Sequence, residues 1–260
     1  MSKGKTAKAP VVMIHGAFCG GWAFDKFRAP FEAAGHAVHA PDLRYHDKGK
    51  KPPAELGRVG MKDYASDLAA LIETLDAPPV LVGHSLGGLL AQMVAARAKV
   101  AGLVLLAPCP PWGVLPSTLF EVVSAQAMFF VGDLANKPIV PSYDIAAKNS
   151  LDRLPKGERD AVFARFVPES GRATFETMHW GLDPGRAVEV RAADVTCPVL
   201  CITGSDDRMN PPGTVRRIAS RYKDRATFEE SKGQSHWLIG EPGWERVAER
   251  AVDWIEACKA

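Results

Sequence analysis

The sequence predicts an α/β fold, a mostly parallel β-sheet flanked by helices and carrying an inserted helical cap, and three features point there. Short apolar or β-branched runs alternate with amphipathic segments over the first 107 residues, the pattern of strand–helix–strand units that feed a parallel sheet. The alternation lapses after Pro108-Cys109-Pro110-Pro111 and returns at residues 198–202. The stretch between is rich in prolines and aromatics but has no strand-like runs, so the expected division is a core of residues 1–108 and 196–260 with residues 109–195 as the cap.

Val11 to Ile14 opens the sheet. Phe24, Phe27, Phe31 and Ala34 recur at three- and four-residue steps, predicting a helix over 22–34 that Gly35 stops, before a short strand at 37–40. Asp63 is placed to cap the next helix, whose apolar face is Tyr64, Leu68, Leu71, Ile72 and Leu75 and which Pro78 and Pro79 end. A strand at 80–82, a small-residue helix at 86–97 and a strand at 103–106 follow. Beyond the cap come a strand at 198–202, a helix at 213–222, a strand at 226–229 and a terminal helix. Trp244, Val247, Ala248, Ala251, Val252 and Ile255 give that helix one continuous apolar face.

The composition excludes several classes. The chain has 260 residues, 24% charged and 47% hydrophobic, and folding a chain of this length buries roughly 75% of its unfolded surface. Lys+Arg number 32 against Asp+Glu 30 and are spread throughout, so no basic stripe marks nucleic acid or an anionic membrane as partner. Lys3, Lys5 and Lys8 form the one basic cluster, expected to be a solvated tail. No apolar run has the length of a membrane span and the first ten residues lack the core of a secretory signal, which predicts a cytoplasmic protein. Five cysteines, an odd number, read as free thiols in a reducing compartment. Cys197 and Cys201 have no companion at zinc spacing, so they read as buried hydrophobes and no metal is expected.

Gly83-His84-Ser85-Leu86-Gly87 follows a strand and opens a helix, the context in which G-x-S-x-G presents a nucleophile. Glycines two positions either side of Ser85 remove Cβ atoms that would collide with the neighbouring strand and helix. A serine hydroxyl needs a base to take its proton, and the base needs a third group to fix its tautomer. Of seven histidines, His236 sits in the loop Gly233-Gln234-Ser235-His236-Trp237, after the last strand and before the terminal helix, where the base belongs in a Ser, acid, His order. His15, His36, His39, His46 and His179 fit that position less well, and His84, inside the turn, is expected to point elsewhere. Gly204-Ser205-Asp206-Asp207 follows the preceding strand and supplies the acid, assigned to Asp207 over Asp206. The earlier loop Pro108-Cys109-Pro110-Pro111 offers no carboxylate. The oxyanion formed on attack needs preorganised N–H donors. Leu86 supplies one. Ala17, in the small-residue loop after the first strand, supplies the other, with Phe18 as the next candidate.

These residues carry a family resemblance. His15-Gly16-Ala17-Phe18-Cys19-Gly20-Gly21-Trp22, Glu32-Ala33-Ala34-Gly35-His36 and Pro41-Asp42-Leu43, together with the Ser85 turn, resemble the α/β-hydrolase family and in particular its plant methylesterase and hydroxynitrile lyase branch. The resemblance implies the α/β-hydrolase fold, a triad of Ser85, Asp207 and His236, and oxyanion donors at Ala17 and Leu86. It fades over residues 109–195, so the substrate pocket is not transferred. In the lyases a lysine follows the catalytic histidine and a cysteine follows the serine; here those positions are Trp237 and Leu86, which favours ester hydrolysis. Epoxide hydrolases and haloalkane dehalogenases of this fold use an aspartate nucleophile, which Ser85 argues against.

The expected function is therefore a serine hydrolase that cleaves a small to medium carboxylic ester through an acyl-enzyme, with no metal or organic cofactor. Carbon–carbon bond hydrolysis, cofactor-free haloperoxidase or perhydrolase activity, and a ligand-binding or signalling role with little turnover are the alternatives compatible with the same triad. Trp112, Phe120, Met128, Phe129, Phe130, Met178 and Trp180 supply apolar surface in the cap. Singly, each is explained by packing within the insertion; together they suit the roof of a pocket. Phe18, Trp112, Phe129, Met178 and Trp237 are the candidate substrate-binding residues.

Overall fold

A computed structural model describes residues 8–128, 133 and 136–258, except the side chain of Met128; Phe129, Phe130, Lys3 and Lys5 lie outside the described residues. Its centre is a parallel sheet of six strands: β1 (Val11–Ile14), β2 (Val38–His39), β3 (Val80–His84), β4 (Gly102–Leu106), β5 (Val199–Gly204) and β6 (Ala226–Ser231), in the order β2-β1-β3-β4-β5-β6. Every residue of β1, β3, β4 and β5 is buried, as a parallel sheet covered on both faces requires.

Side-chain alternation divides the core into two layers. Val12, Ile14, Leu81, Leu103, Leu105 and Cys201 face a layer with helices α2 (Met61–Glu73), α3 (Leu86–Ala95) and α8 (Pro212–Ser220). Val11, Met13, Val82, Val104, Leu106 and Ile202 face the other, built by Phe24, Phe27, Phe31 and α9 (Trp244–Ala257). The strand order reverses direction at β1, which lies between β2 and β3, and in such sheets ligands sit at the carboxyl ends of the strands flanking that reversal.

The structure corrects three local expectations. The helix over 22–34 is broken into a 3₁₀ turn (Gly21–Phe24) and a short helix α1 (Ala29–Ala33), because Pro30 has no N–H to continue a helix and is accommodated in the first turn of a new one. Phe24, Phe27 and Phe31 nonetheless stack in sequence at 6.1 and 5.7 Å. Asp63 does not occupy the capping position of α2; it stands three residues in and its Oδ2 accepts from Gly60 N–H at 2.7 Å. Lys8 is not free in solvent, since its Nζ pairs with Glu256 at 2.8 Å.

Between β4 and β5 lie α4 (Leu119–Met128), α5 (Tyr143–Asn149), α6 (Lys156–Ala164) and α7 (Gly171–Met178). An antiparallel bridge between Ile139 and Glu169 ties this segment to itself, a pairing that no sequence pattern announces. Among the described residues no helix is long and apolar enough to cross a membrane, and all five cysteines are free thiols.

Candidate active site

Ser85 occupies the turn between β3 and α3 with φ 54° and ψ −118°, a strained conformation for a residue with a Cβ. Hydrogen bonds hold it there: Ser85 N–H donates to Leu106 O at 3.0 Å, and Ser85 O accepts from the amides of Gly88 and Cys109, each at 2.9 Å. The flanking glycines are obligatory. A Cβ on Gly83 would stand 2.3 Å from Gly87 O, and one on Gly87 would stand 2.0 Å from Ile14 O.

The structure brings Ser85, His236 and Asp207 into one hydrogen-bonded chain. His236 Nε2 lies 3.0 Å from Ser85 Oγ, and His236 Nδ1 lies 2.9 Å from Asp207 Oδ2. The loop after β5 aims Asp207, whose Oδ1 accepts from Met209 N–H at 2.8 Å and Asn210 N–H at 2.9 Å. Asp207 is 3% exposed and His236 5%. Asp206 instead turns outward to pair with Arg153. Burial alone would lower the His236 pKa, but the carboxylates around it, Asp207 foremost, together outweigh burial and raise it above the ordinary histidine value. With Nδ1–H given to Asp207, the neutral ring presents a lone pair at Nε2 to the Ser85 hydroxyl.

His84 points at the loop that carries His236. Its Nε2–H donates to His236 O at 2.8 Å and its ring lies 5.0 Å from that of His236. Burial first, then the neighbouring His236, lowers its pKa to about 3, so it stays neutral.

Among the described residues the N–H groups of Ala17 and Leu86 have no acceptor within the protein. Leu86 is the first residue of α3, where the helix leaves its amides unpaired. His15 orients Ala17. Its Nε2 accepts from Leu43 N–H at 3.0 Å, which places the ring proton on Nδ1, and this donates to Gly16 O at 2.8 Å. In a trans peptide the carbonyl and the following N–H point opposite ways, so fixing Gly16 O turns the Ala17 N–H away from His15. Burial lowers the His15 pKa to about 4 and keeps this tautomer neutral. The Phe18 N–H is committed elsewhere, to Glu169 Oε2 at 3.4 Å.

Other candidates are placed differently. Trp237 is 4% exposed and packs among core rings, at 5.6 Å from His84, 6.3 Å from Trp22 and 6.2 Å from Phe166. Trp112 packs edge-on against Trp180 at 5.7 Å, with the Arg186 guanidinium 4.2 Å from its ring centre. Met178 is half-buried at the end of α7. Phe18 is half-buried in the loop after β1 with φ 63°.

Sequence reasoning missed several groups around the triad. The Cys109 thiol lies 3.7 Å from Ser85 Oγ and burial pushes its pKa up to about 11, so it stays protonated. Glu241 Oε1 accepts from Ser235 N–H at 2.5 Å, and burial raises its carboxyl to about 7. Glu169 is fully buried beside the loop after β1. No spacing in the chain connects these positions to Ser85; the proline after Cys109 and the Gly-Glu-Pro at 240–242 are the nearest local cues.

A serine in a strained strand-to-helix turn, at the sheet's reversal point, with an acid and a histidine from the loops after β5 and β6, defines a hydrolase-type site. The chain belongs to the alpha/beta hydrolase family, whose model matches residues 11–250. It is 36% identical over 111 residues to a pyrethroid hydrolase of Sphingobium wenxiniae, covering 42% of this chain and 39% of that protein. It is 34% identical over 173 residues to methylesterase 7 of Arabidopsis thaliana, covering 64% of this chain and 58% of the relative. The match thus spans less than two thirds of the length of either relative. The crystal structure of the Paleococcus ferrophilus monoacylglycerol lipase superposes with a TM-score of 0.69 over 96% of both chains at 24% identity, a likeness of fold.

Proposed function

We propose that the protein is a serine hydrolase of small to medium carboxylic esters working through an acyl-enzyme. The observation that carries this reading is the continuous chain Ser85–His236–Asp207, with hydrogen-bond contacts of 3.0 and 2.9 Å. Ser85 Oγ attacks the ester carbonyl carbon as its proton passes to His236 Nε2. Asp207 holds the imidazole and stabilises its charged form. The Ala17 and Leu86 amides donate to the oxyanion of the tetrahedral intermediate, which collapses as the leaving alkoxide takes the proton from His236. Water then attacks the acyl-Ser85 by the same route and releases the carboxylic acid. The names of the pyrethroid hydrolase and methylesterase relatives support ester over other acyl substrates. The reading gives no role to a metal or organic cofactor and none to nucleic acid or membrane, takes residues 109–195 as the cap over the site, and places the enzyme in the cytoplasm, in keeping with its free thiols.

Intact-mass spectrometry after treatment with a fluorophosphonate tests the reading. One adduct, absent from Ser85→Ala, together with turnover of p-nitrophenyl esters, is the expected result. A folded protein that takes no adduct contradicts it.

A further inference from the structure

Glu169 is the one fully buried carboxylate that reaches the loop after β1 among the described residues, and every partner it has is a donor. Tyr64 Oη donates to its Oε1 at 2.9 Å and Ser170 N–H to the same oxygen at 2.6 Å. His46 Nε2 stands 3.2 Å from Oε2, and the Phe18 N–H donates to that oxygen at 3.4 Å. The other His46 nitrogen faces Arg44 O at 3.3 Å, so both ring nitrogens meet oxygen acceptors and the ring is held as an imidazolium. The main chain repeats the grip. Val167 N–H donates to Phe18 O at 2.9 Å, and Glu169 itself is anchored by paired bonds to Ile139 at 2.8 and 2.9 Å.

A buried ion pair contributes little net stability over apolar packing of the same volume, so stability alone is a weak reason for this one. Its position gives a better reason. Ala17 is bracketed: His15 fixes the peptide before it through Gly16 O, and Glu169 fixes the next amide, that of Phe18, whose φ of 63° is a conformation the loop must be held in.

We propose that Glu169, supported by His46 and Tyr64, is a positioning residue for the oxyanion loop, so that the segment between β4 and β5 sets the aim of the Ala17 amide. The inference rests on the ester-hydrolase reading above. It gives Glu169 no contact with substrate. A displacement of the order of 1 Å in an oxyanion donor costs up to about 100-fold in rate while leaving ground-state binding nearly intact.

The test compares wild type, Glu169→Gln and Tyr64→Phe by steady-state kinetics on a p-nitrophenyl ester, by inhibition with an aryl trifluoromethyl ketone, whose adduct with Ser85 bears an oxyanion, and by thermal unfolding. Glu169→Gln is expected to lower kcat about 10- to 100-fold with KM within about twofold, and to weaken the ketone by the same factor as kcat/KM. Tyr64→Phe, which keeps the ion pair, is expected to lower both in the same ratio but by less, and it decides the matter if Glu169→Gln does not fold. Variants that unfold at lower temperature yet keep kcat and ketone affinity within about twofold overturn the inference and leave the hydrolase reading standing. A wild-type protein that neither takes a fluorophosphonate nor turns over esters overturns both.

Discussion

Among the described residues lie two buried histidine–carboxylate pairs, and they differ in what the second ring nitrogen faces. In His236–Asp207 the carboxylate is 2.9 Å from Nδ1, and Nε2 faces the Ser85 hydroxyl at 3.0 Å, a group that can give up a proton. In His46–Glu169 the carboxylate is 3.2 Å from Nε2, and Nδ1 faces a backbone carbonyl, which can only accept. The first ring can exchange a proton with Ser85; the second, with acceptors at both nitrogens, is held toward the charged form. On the proposed reading the same two residue types make a proton shuttle in one place and a brace in the other, and the difference lies in one hydrogen-bond partner.

Removing the acid from the shuttle has the largest expected effect. Asp207→Asn is expected to lower kcat by about 10⁴-fold, because Asn can hold the ring in the wrong tautomer and offers no charge to stabilise the imidazolium. Stopped-flow or steady-state ester hydrolysis checks it; a loss under tenfold would show that Asp207 does not serve His236.

Breaking the brace acts first on stability. Glu169→Gln leaves a buried imidazolium without its counter-charge, a loss of about 3 kcal/mol. Burial opposes both charges most strongly, yet the ion pair and the added hydrogen bonds together outweigh it, so the His46 pKa is raised and that of Glu169 lowered. The His46 contribution is full below its unfolded value and is lost as pH rises through the raised folded one. The Glu169 contribution is full above its unfolded value and is lost as pH falls through the depressed folded one. The Tm gap between wild type and Glu169→Gln is therefore expected to be widest between the ordinary carboxylate and histidine values and to narrow on either side. A gap constant with pH would contradict the charged pairing.

A smaller effect separates the two loops again. Glu241, with its carboxyl near 7, helps raise the histidine pKa electrostatically. Glu241→Gln is expected to move the acid limb of kcat/KM downward by less than Asp207→Asn does, read from the pH profile. The smallest effect belongs to Asp206, exposed and paired with Arg153. Asp206→Ala is expected to leave kcat/KM within about twofold and to cost under about 1 kcal/mol in urea unfolding, since exposed ion pairs contribute little.

How much of this is legible in the sequence follows the same division. The shuttle is assembled from strand ends, and strand ends leave marks: a turn that forbids a Cβ demands Gly83 and Gly87, and a loop between β6 and α9 isolates His236. The brace joins His46, Tyr64 and Glu169 from three distant segments, and only the folded chain relates them. Trp237 misleads for a related reason. Its place beside His236 suggests a pocket wall, but the ring packs in the core against Trp22 and Phe166. The helix expected over 22–34 fails at Pro30, although the phenylalanine spacing still forecasts which side chains are buried. Residues 109–195 carry helices that pack on other helices, α7 on α2 and α5 on α6, and hydrophobic periodicity cannot supply those contacts.

The most direct measurement is the pH dependence of the fluorophosphonate labelling rate at Ser85, in wild type and in Asp207→Asn. The account predicts a rate that rises as a single ionisation with its midpoint above the ordinary histidine value of about 6.5, and a midpoint moved lower when the aspartate charge is removed. A rate that stays flat through the histidine range, or a midpoint indifferent to Asp207, would contradict it.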